Sequence, residues 1–224
     1  MHFTVTECIF INLTISTGHQ TEACPGNGNV PAVVCAPHEP CVNCFECYRG
    51  GEEIWFTPGI SGPVLAFDIE TTGFNKFDVV TCVSAYDPVR SVYFVECTPN
   101  GARNDAFLRL LDEAPLLCGF NAARFDIPYL ARRWDLPSGQ VTSWMRKLID
   151  PFEACKLALN RTFSLNSLLR FNGWDCKTSN GAEAVNMAAQ GRWQELRDYC
   201  MADTMKTHEL VTSRSLAIPP KSAK

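Results

Sequence analysis

The stretch PVLAFDIET (63–71) decides the fold that this sequence predicts. It begins with five apolar residues, which is typical of a strand buried on both faces within a sheet. Asp68 and Glu70 follow, and residues two apart on a strand point to the same face. Neighbouring carboxylates at the end of a buried strand repel each other, and cations would relieve that repulsion. The triplet alone also fits an ordinary strand end with two solvated acids.

Regular elements follow this strand along the chain. Three strands in succession, then helices alternating with short strands, predict an α/β fold with a mixed central β-sheet flanked by helices. No stretch of about 20 apolar residues that could span a membrane occurs, so no membrane association is expected. The predicted strands are DVVTCVSAYD (78–87), VRSVYFVEC (89–97) and LLCGFN (116–121), and the predicted helices are 103–113, 122–135, 152–159, 164–171 and 193–212.

Two later segments add acidic residues to the pair on the first strand. Asp126 lies at the start of a predicted helix, which Asn121 could cap, and Tyr199 and Asp203 share one face of the last helix. Each of these residues has an ordinary structural explanation when taken alone. Together, however, four acids arrive from three separate segments, as a site for two divalent cations requires.

Three motifs carry a family resemblance. FDIETTG (67–73), GFNAARFDIPYL (119–130) and YCMAD (199–203) resemble, in order, the motifs of the DEDD exonuclease superfamily, which has an RNase H-like fold. The Tyr199-x-x-x-Asp203 spacing resembles the tyrosine subclass, and the later motifs resemble the proofreading domain of family B DNA polymerases. Residues 163–173 and Lys177 to Gly191 also resemble segments of such enzymes. The resemblance implies a metal-dependent 3′→5′ exonuclease that releases nucleoside 5′-monophosphates.

The resemblance also implies roles for single residues. Asp68, Glu70 and Asp203 would hold the metal that binds the attacking water, and Asp126 would help to hold a second metal bridged by Asp68. Tyr199 would orient the water. The two cations would be Mg²⁺ or Mn²⁺, because hard divalent ions take oxygen ligands. The predicted catalytic residues are therefore Asp68, Glu70, Asp126, Tyr199 and Asp203.

Substrate contacts are predicted from the same motifs. Thr71 and Thr72 would meet the 3′-terminal nucleotide, and Asn121 would contact its phosphate or sugar. Phe125 is a candidate to stack on a base, although ordinary core packing explains it equally well. The predicted partner is a single-stranded or frayed 3′ end, with DNA favoured over RNA by fold analogy alone. The net charge of −4 argues against a protein that coats duplex nucleic acid, but not against a metal-dependent nuclease.

Twelve cysteines are many for 224 residues, and they fall into two groups. A crowded N-terminal stretch contains a run that suits a zinc knuckle, part of an iron–sulfur ligand run, or a segment without metal. The other six lie among apolar neighbours, as buried thiols do, so an intracellular, reducing compartment is expected, without secretion. The zinc candidates are Cys35, His38, Cys41, Cys44 and Cys47. The scattered cysteines are Cys82, Cys97, Cys118, Cys155, Cys176 and Cys200.

The sequence thus predicts a Cys-rich N-terminal extension at 1–60, an exonuclease domain at 61–216 and a flexible tail at 217–224. The alternative function is a non-catalytic single-strand binding or interaction module on an exonuclease-like scaffold. Such a module would usually have lost one of the acids, and none is missing here.

Overall fold

The computed structural model of the chain describes residues 62–73, 75, 77–175, 181–212 and 215–218, together with the backbone of two short strands near the N-terminus. The strands are β1 (Thr14–Ser16), β2 (Glu53–Trp55), β3 (Val64–Thr71), β4 (Val80–Asp87), β5 (Val92–Cys97), β6 (Leu116–Cys118), β7 (Leu148–Ile149) and β8 (Ser215–Ala217). The helices are α1 (Asp105–Glu113), α2 (Asp126–Arg133), α3 (Ser138–Arg146), α4 (Pro151–Leu159), α5 (Leu165–Phe171), α6 (Gly181–Ala189) and α7 (Trp193–Thr212).

The main sheet has five strands in the order β5-β4-β3-β6-β7. β3 lies at its centre, antiparallel to β4 and parallel to β6. The outer pairs follow the same division, with β4 and β5 antiparallel and β6 and β7 parallel. The mixed central sheet flanked by helices, predicted from the sequence, is therefore confirmed. A second, small sheet joins β1, β2 and β8, all antiparallel.

Alternating side chains of β3 pack against two separate layers of helices. Leu65, Phe67 and Ile69 belong to a core that also contains the buried faces of α1, α2 and α3. Val64 and Ala66 belong to a second core, which includes residues of α5 and the C-terminal part of α7. Because the side-chain period of a strand is two, Asp68 and Glu70 continue the face of Val64 and Ala66. The two acids therefore face the layer that contains α7.

Most of the predicted elements occur in the described part of the chain. The short strands β2, β7 and β8 were not predicted, and α6 lies in the segment 177–191 that was identified only by resemblance. Two further helices also differ from the prediction. Helix α3 was not predicted, because its buried Val141 and Trp144 follow a stretch too polar to show a clear period. Helix α2 begins at Asp126 rather than at residue 122, because the preceding residues form a turn in which Asn121 has a left-handed φ of 63°. Within the described residues, none of the helices has the length and apolarity needed to span a membrane.

Candidate active site

The two acids of β3 lie near the C-terminal end of this central strand, where it loses its regular pairing with β4. Asp68 faces Ser84 of β4 and Glu70 faces Cys82, and the register shifts between Glu70 and Thr71. Such bulges are frequent beside active sites, where they redirect a side chain. Both acids are half-buried. One carboxylate oxygen from each lies within 4.8 Å of the other and of the Cys200 thiol, a spacing that a metal ion could bridge.

Helix α7 brings Tyr199 and Asp203 to the same place. Asp203 is buried, and its side chain is hydrogen-bonded to that of Tyr199. Burial raises the pKa of the Tyr199 phenol well above its usual value, and the negative charges of Asp203, Glu70 and Asp68 raise it further. The phenol is therefore protonated at neutral pH and can donate a hydrogen bond.

Asp126 approaches the β3 acids from the opposite direction. Its Oδ1 accepts a hydrogen bond of 3.1 Å from the backbone N–H of Ile69, the residue between the two acids. Burial, and then the charge of Asp68, raises the pKa of the Asp126 carboxyl well above its usual range. The structure thus brings all five predicted catalytic residues to one site, and their mutual repulsion is what divalent cations would relieve.

The turn before α2 is held by an acid that sequence reasoning missed. Asp150 caps α4, and its two carboxylate oxygens also accept 2.9 Å hydrogen bonds from the backbone N–H groups of Asn121 and Ala123. Burial raises the pKa of Asp150 to about 6. The Asp-Pro pair at 150–151 is a helix-start signal, but nothing in the sequence indicates that the same side chain would fix a turn 29 residues earlier.

An ion pair adds a second link between this turn and α4. Arg124 donates to both carboxylate oxygens of the buried Glu153, with the Nη2–Oε2 distance at 3.1 Å. A guanidinium that donates two hydrogen bonds to the two oxygens of one carboxylate forms one of the stronger hydrogen-bonded pairs in proteins. Arg124 is therefore engaged in fixing the turn, although its position in the sequence would also have suited contact with a nucleic acid backbone.

The two predicted substrate threonines stabilise the loop between β3 and β4. Thr71 is buried, and its hydroxyl donates 2.9 Å to the carbonyl of Gly73. Thr72 donates to Asp78 at 3.2 Å and accepts from the N–H of Val79 at 2.9 Å. Thr72 is exposed beside the acids, whereas the Thr71 side chain points into the loop. Contact with the terminal nucleotide stays a prediction for both.

The remaining substrate candidates differ in their surroundings. Phe125 is half-buried against the core, and the centroid of its ring lies 5.3 Å from that of Tyr129. These contacts fit ordinary core packing, which was the alternative to stacking on a base. Asn121 does not cap α2; its carbonyl accepts from the N–H groups of Arg124 and Phe125. Its side-chain Oδ1 is buried and has no hydrogen-bond partner among the described residues. A role of Phe125 or Asn121 in binding nucleic acid stays a prediction.

Cys200 is the other residue at the site that the sequence did not assign to it. Its Sγ lies 3.8 Å from Asp68 Oδ2 and 3.1 Å from the hydroxyl of Ser84. Its place between Tyr199 and Asp203 on α7 was the available signal, but a buried cysteine is usually an inert core residue. The predicted zinc residues Cys35, His38, Cys41, Cys44 and Cys47 lie outside the described residues.

Comparisons with known proteins agree with this architecture. The family model of the RNase H superfamily matches residues 65–214 of the chain. A solved structure of the family B DNA polymerase from the hyperthermophilic archaeon Pyrobaculum calidifontis is similar over 70% of this chain, with a TM-score of 0.53 and 18% identity. This chain spans only 25% of that polymerase, so the likeness concerns the fold of one part of it. Comparison with curated protein sequences finds no match.

Proposed function

Because this chain belongs to the RNase H superfamily, we propose that it is a nuclease of the 3′→5′ exonuclease type, with the tyrosine-containing set of acids. The observation that supports this most directly is the convergence of Asp68, Glu70, Asp126 and Asp203 from β3, α2 and α7. Two of these acids, Asp126 and Asp203, are 3% and 4% exposed. Buried carboxylates this close together are costly for stability unless they bind cations.

The donor set fits divalent metal ions. Carboxylate oxygens from Asp68 and Glu70 lie within 4.8 Å of each other, and the pKa of Asp126 is raised partly by the charge of Asp68. Asp68, Glu70 and Asp203 would hold one ion, and Asp68 with Asp126 a second. When bound, Mg²⁺ or Mn²⁺ would lower the pKa of a water molecule and stabilise the charge on the leaving oxygen.

Each protein residue then has a distinct task. Tyr199, protonated at neutral pH, donates its one hydroxyl proton to Asp203, and its oxygen accepts a hydrogen bond from the attacking water and orients it. Asp203 accepts the hydrogen bond that fixes the rotamer of Tyr199. Asp150 and Glu153 fix the turn that carries Asp126, so that Asp126 stays against the backbone of Ile69. The products are nucleoside 5′-monophosphates.

The proposed substrate is the 3′ end of a single-stranded or frayed nucleic acid, with DNA preferred over RNA. The exposed Thr72 and the half-buried Asn121 lie on the two segments that border the acids, where the terminal nucleotide would bind. Few bases need to be read there, so we expect little sequence preference.

A degradation assay tests the proposal directly. Matched DNA and RNA strands labelled at the 3′ or 5′ end are incubated with the full chain and Mg²⁺ or Mn²⁺. We expect early release of the 3′ label as a mononucleotide and a descending ladder from the 5′ label. Asp68→Asn should be inactive, whereas Glu209→Gln, which removes an exposed acid from helix α7, should retain activity.

Three outcomes would reject this proposal or part of it. Intact strands in both metals, together with metal-independent binding of single strands, would favour a binding module on an exonuclease-like scaffold. Internal cleavage would keep the nuclease but reject the exonuclease. Full activity of Asp68→Asn would exclude the assigned site.

A further inference from the structure

Three cysteine thiols form a row that leads away from the candidate active site. Cys97 on β5 and Cys82 on β4 are paired residues of neighbouring strands, and their sulfur atoms are 3.8 Å apart. The Cys82 thiol is hydrogen-bonded to that of Cys200 on α7. Cys200 in turn contacts Asp68 Oδ2. The row therefore connects Asp68 to the outermost strand on this side of the sheet.

The backbone geometry at Cys82 and Cys97 suits a disulfide. The N–H of Thr98 donates a hydrogen bond of 2.8 Å to the carbonyl of Thr81. Thr81 and Thr98, the pair next to Cys82 and Cys97, are therefore a hydrogen-bonded pair of the ladder. Antiparallel ladders alternate, which makes Cys82 and Cys97 the closer, non-hydrogen-bonded pair, with Cα atoms about 4.5 Å apart. Disulfides span Cα distances of roughly 4.4–6.8 Å, so a bond can form here without separating the strands.

We propose that Cys82 and Cys97 are an oxidative modification site, at which a peroxide forms a disulfide across β4 and β5. Cys97 reacts first: its sulfur attacks one peroxide oxygen, giving a sulfenic acid and one water from the other oxygen. Cys82 then attacks that sulfur, the S–S bond forms, and a second water leaves. The two thiols lose two electrons and two protons, and the peroxide is reduced to two waters.

Exposure determines which thiol reacts first. Cys82 is completely buried, whereas Cys97 is half-buried on the edge strand β5. Burial and the Cys82 thiol raise the pKa of Cys97 to about 12, so its thiolate is scarce at neutral pH and oxidation requires prolonged exposure. A hydrogen bond with Cys200 lowers the pKa of Cys82, which favours its attack on the oxidised partner.

The modification would act on the carboxylates through Cys200. A disulfide requires the two sulfurs to approach to about 2.0 Å, and this draws the Cys82 sulfur toward Cys97 and away from Cys200. Cys82 also lies directly opposite Glu70 in the β3–β4 register. Oxidation therefore changes the packing behind both acids of β3. This consequence for hydrolysis rests on the proposed function, but formation of the bond does not.

Peptide mapping tests the bond independently of activity. The full chain is exposed to hydrogen peroxide, alkylated and digested with trypsin, which separates peptides 77–90 and 91–103 at Arg90 and releases Cys200 in peptide 198–206. We expect a linked 77–90/91–103 product that a thiol reductant separates. Cys155→Ser, which removes a buried thiol of α4, should still form it, and Cys97→Ser should not.

Two mapping results would overturn the proposal. One is a link between peptides 77–90 and 198–206 in place of the expected one. The other is recovery of both Cys82 and Cys97 as alkylated thiols after peroxide has oxidised other cysteines of the folded chain. Reduced protein that lacks hydrolysis would count against the proposed function only, since the map is read without substrate. In active preparations, hydrolysis should fall in proportion to the linked fraction, and unchanged hydrolysis would reject the coupling to the acids.

Discussion

The two halves of the candidate active site are held in place by different means. Asp68, Glu70 and Asp203 lie on regular elements, the central strand β3 and the 20-residue helix α7. Asp126 instead follows an irregular turn that begins at Asn121 in a left-handed conformation. The backbone N–H groups of Asn121 and Ala123 in that turn are satisfied by the side chain of Asp150, which directly follows β7.

This difference distinguishes the residues that take part in hydrolysis from those that hold them in place. A strand or helix fixes a side chain through its own backbone hydrogen bonds, so an acid can be replaced there without loss of the element. The turn is held to α4 by two buried carboxylates, Asp150 and Glu153, and loss of Asp150 leaves the backbone donors of Asn121 and Ala123 unsatisfied. Changes in the β3–α7 half should therefore affect hydrolysis alone, whereas changes that release the turn should affect both hydrolysis and stability.

The largest effect is expected from Asp203→Asn. Loss of a metal-binding carboxylate removes several kcal/mol of charge stabilisation in the transition state, which corresponds to at least about a thousandfold loss of kcat/KM. The free energy of unfolding without metal should stay the same or rise, because a buried negative charge near Asp68 and Glu70 is removed. Hydrolysis of 3′-labelled DNA and chemical denaturation in EDTA measure the two quantities. A marked loss of stability would contradict the comparison.

Asp150→Asn should lower both kcat/KM and the free energy of unfolding. An amide offers one acceptor oxygen where the carboxylate offers two, so the N–H of Asn121 or Ala123 loses its partner at a cost of about 1–3 kcal/mol. Displacement of Asp126 should reduce kcat/KM by about 10–100-fold, as loss of a residue that supports a metal ligand commonly does. The same assays apply.

Asp112→Asn provides the matched control for that change. Asp112 accepts a hydrogen bond of 2.7 Å from the indole N–H of Trp144 on α3, away from the acids. Its replacement should cost stability and leave kcat unchanged. If both variants lost the same activity, general destabilisation rather than the turn would explain the effect.

The half of the site on β3 and α7 could be predicted from the sequence, whereas the turn before α2 could not. The reason is again that regular elements depend on local properties of the chain. The apolar run of PVLAFDIET predicts both the central strand and the shared face of Asp68 and Glu70, because burial and period are local properties of the segment. The four-residue spacing of Tyr199 and Asp203 likewise predicts their shared helix face. The mixed sheet follows from the order of such elements.

The features of the site that the sequence did not predict depend on contacts between distant segments. The start of α2 was predicted four residues too early, because Asn121 to Phe125 continue the apolar pattern while Asp150 holds them in a turn. Cys200 was assigned to the core because nothing local shows that its sulfur would contact Asp68. A side chain that acts across 29 residues, as Asp150 does, leaves no period or motif to read.

Tyr199→Phe should have a smaller effect than loss of an acid. The phenol orients the attacking oxygen by one hydrogen bond, worth about 1–1.5 kcal/mol, so kcat should fall about tenfold. KM should stay unchanged if the phenol does not contact the substrate in the ground state. Steady-state kinetics on a 3′-labelled strand separate the two constants. A rise in KM at constant kcat would assign Tyr199 to substrate binding and not to the attacking oxygen.

The last effect concerns stability alone and depends on pH. Burial raises the pKa of Asp150 to about 6, whereas an unfolded aspartate titrates near 3.9. The folded state therefore binds this proton more tightly, and stability falls as pH rises between about 4 and 6, by at most about 1.4 kcal/mol per pH unit. Asp126 contributes in the same direction. In EDTA, denaturation of Asp150→Asn should show a shallower pH dependence over this range than denaturation of Asp112→Asn, because only the former lacks Asp150. Equal slopes would mean that burial does not raise the pKa of Asp150.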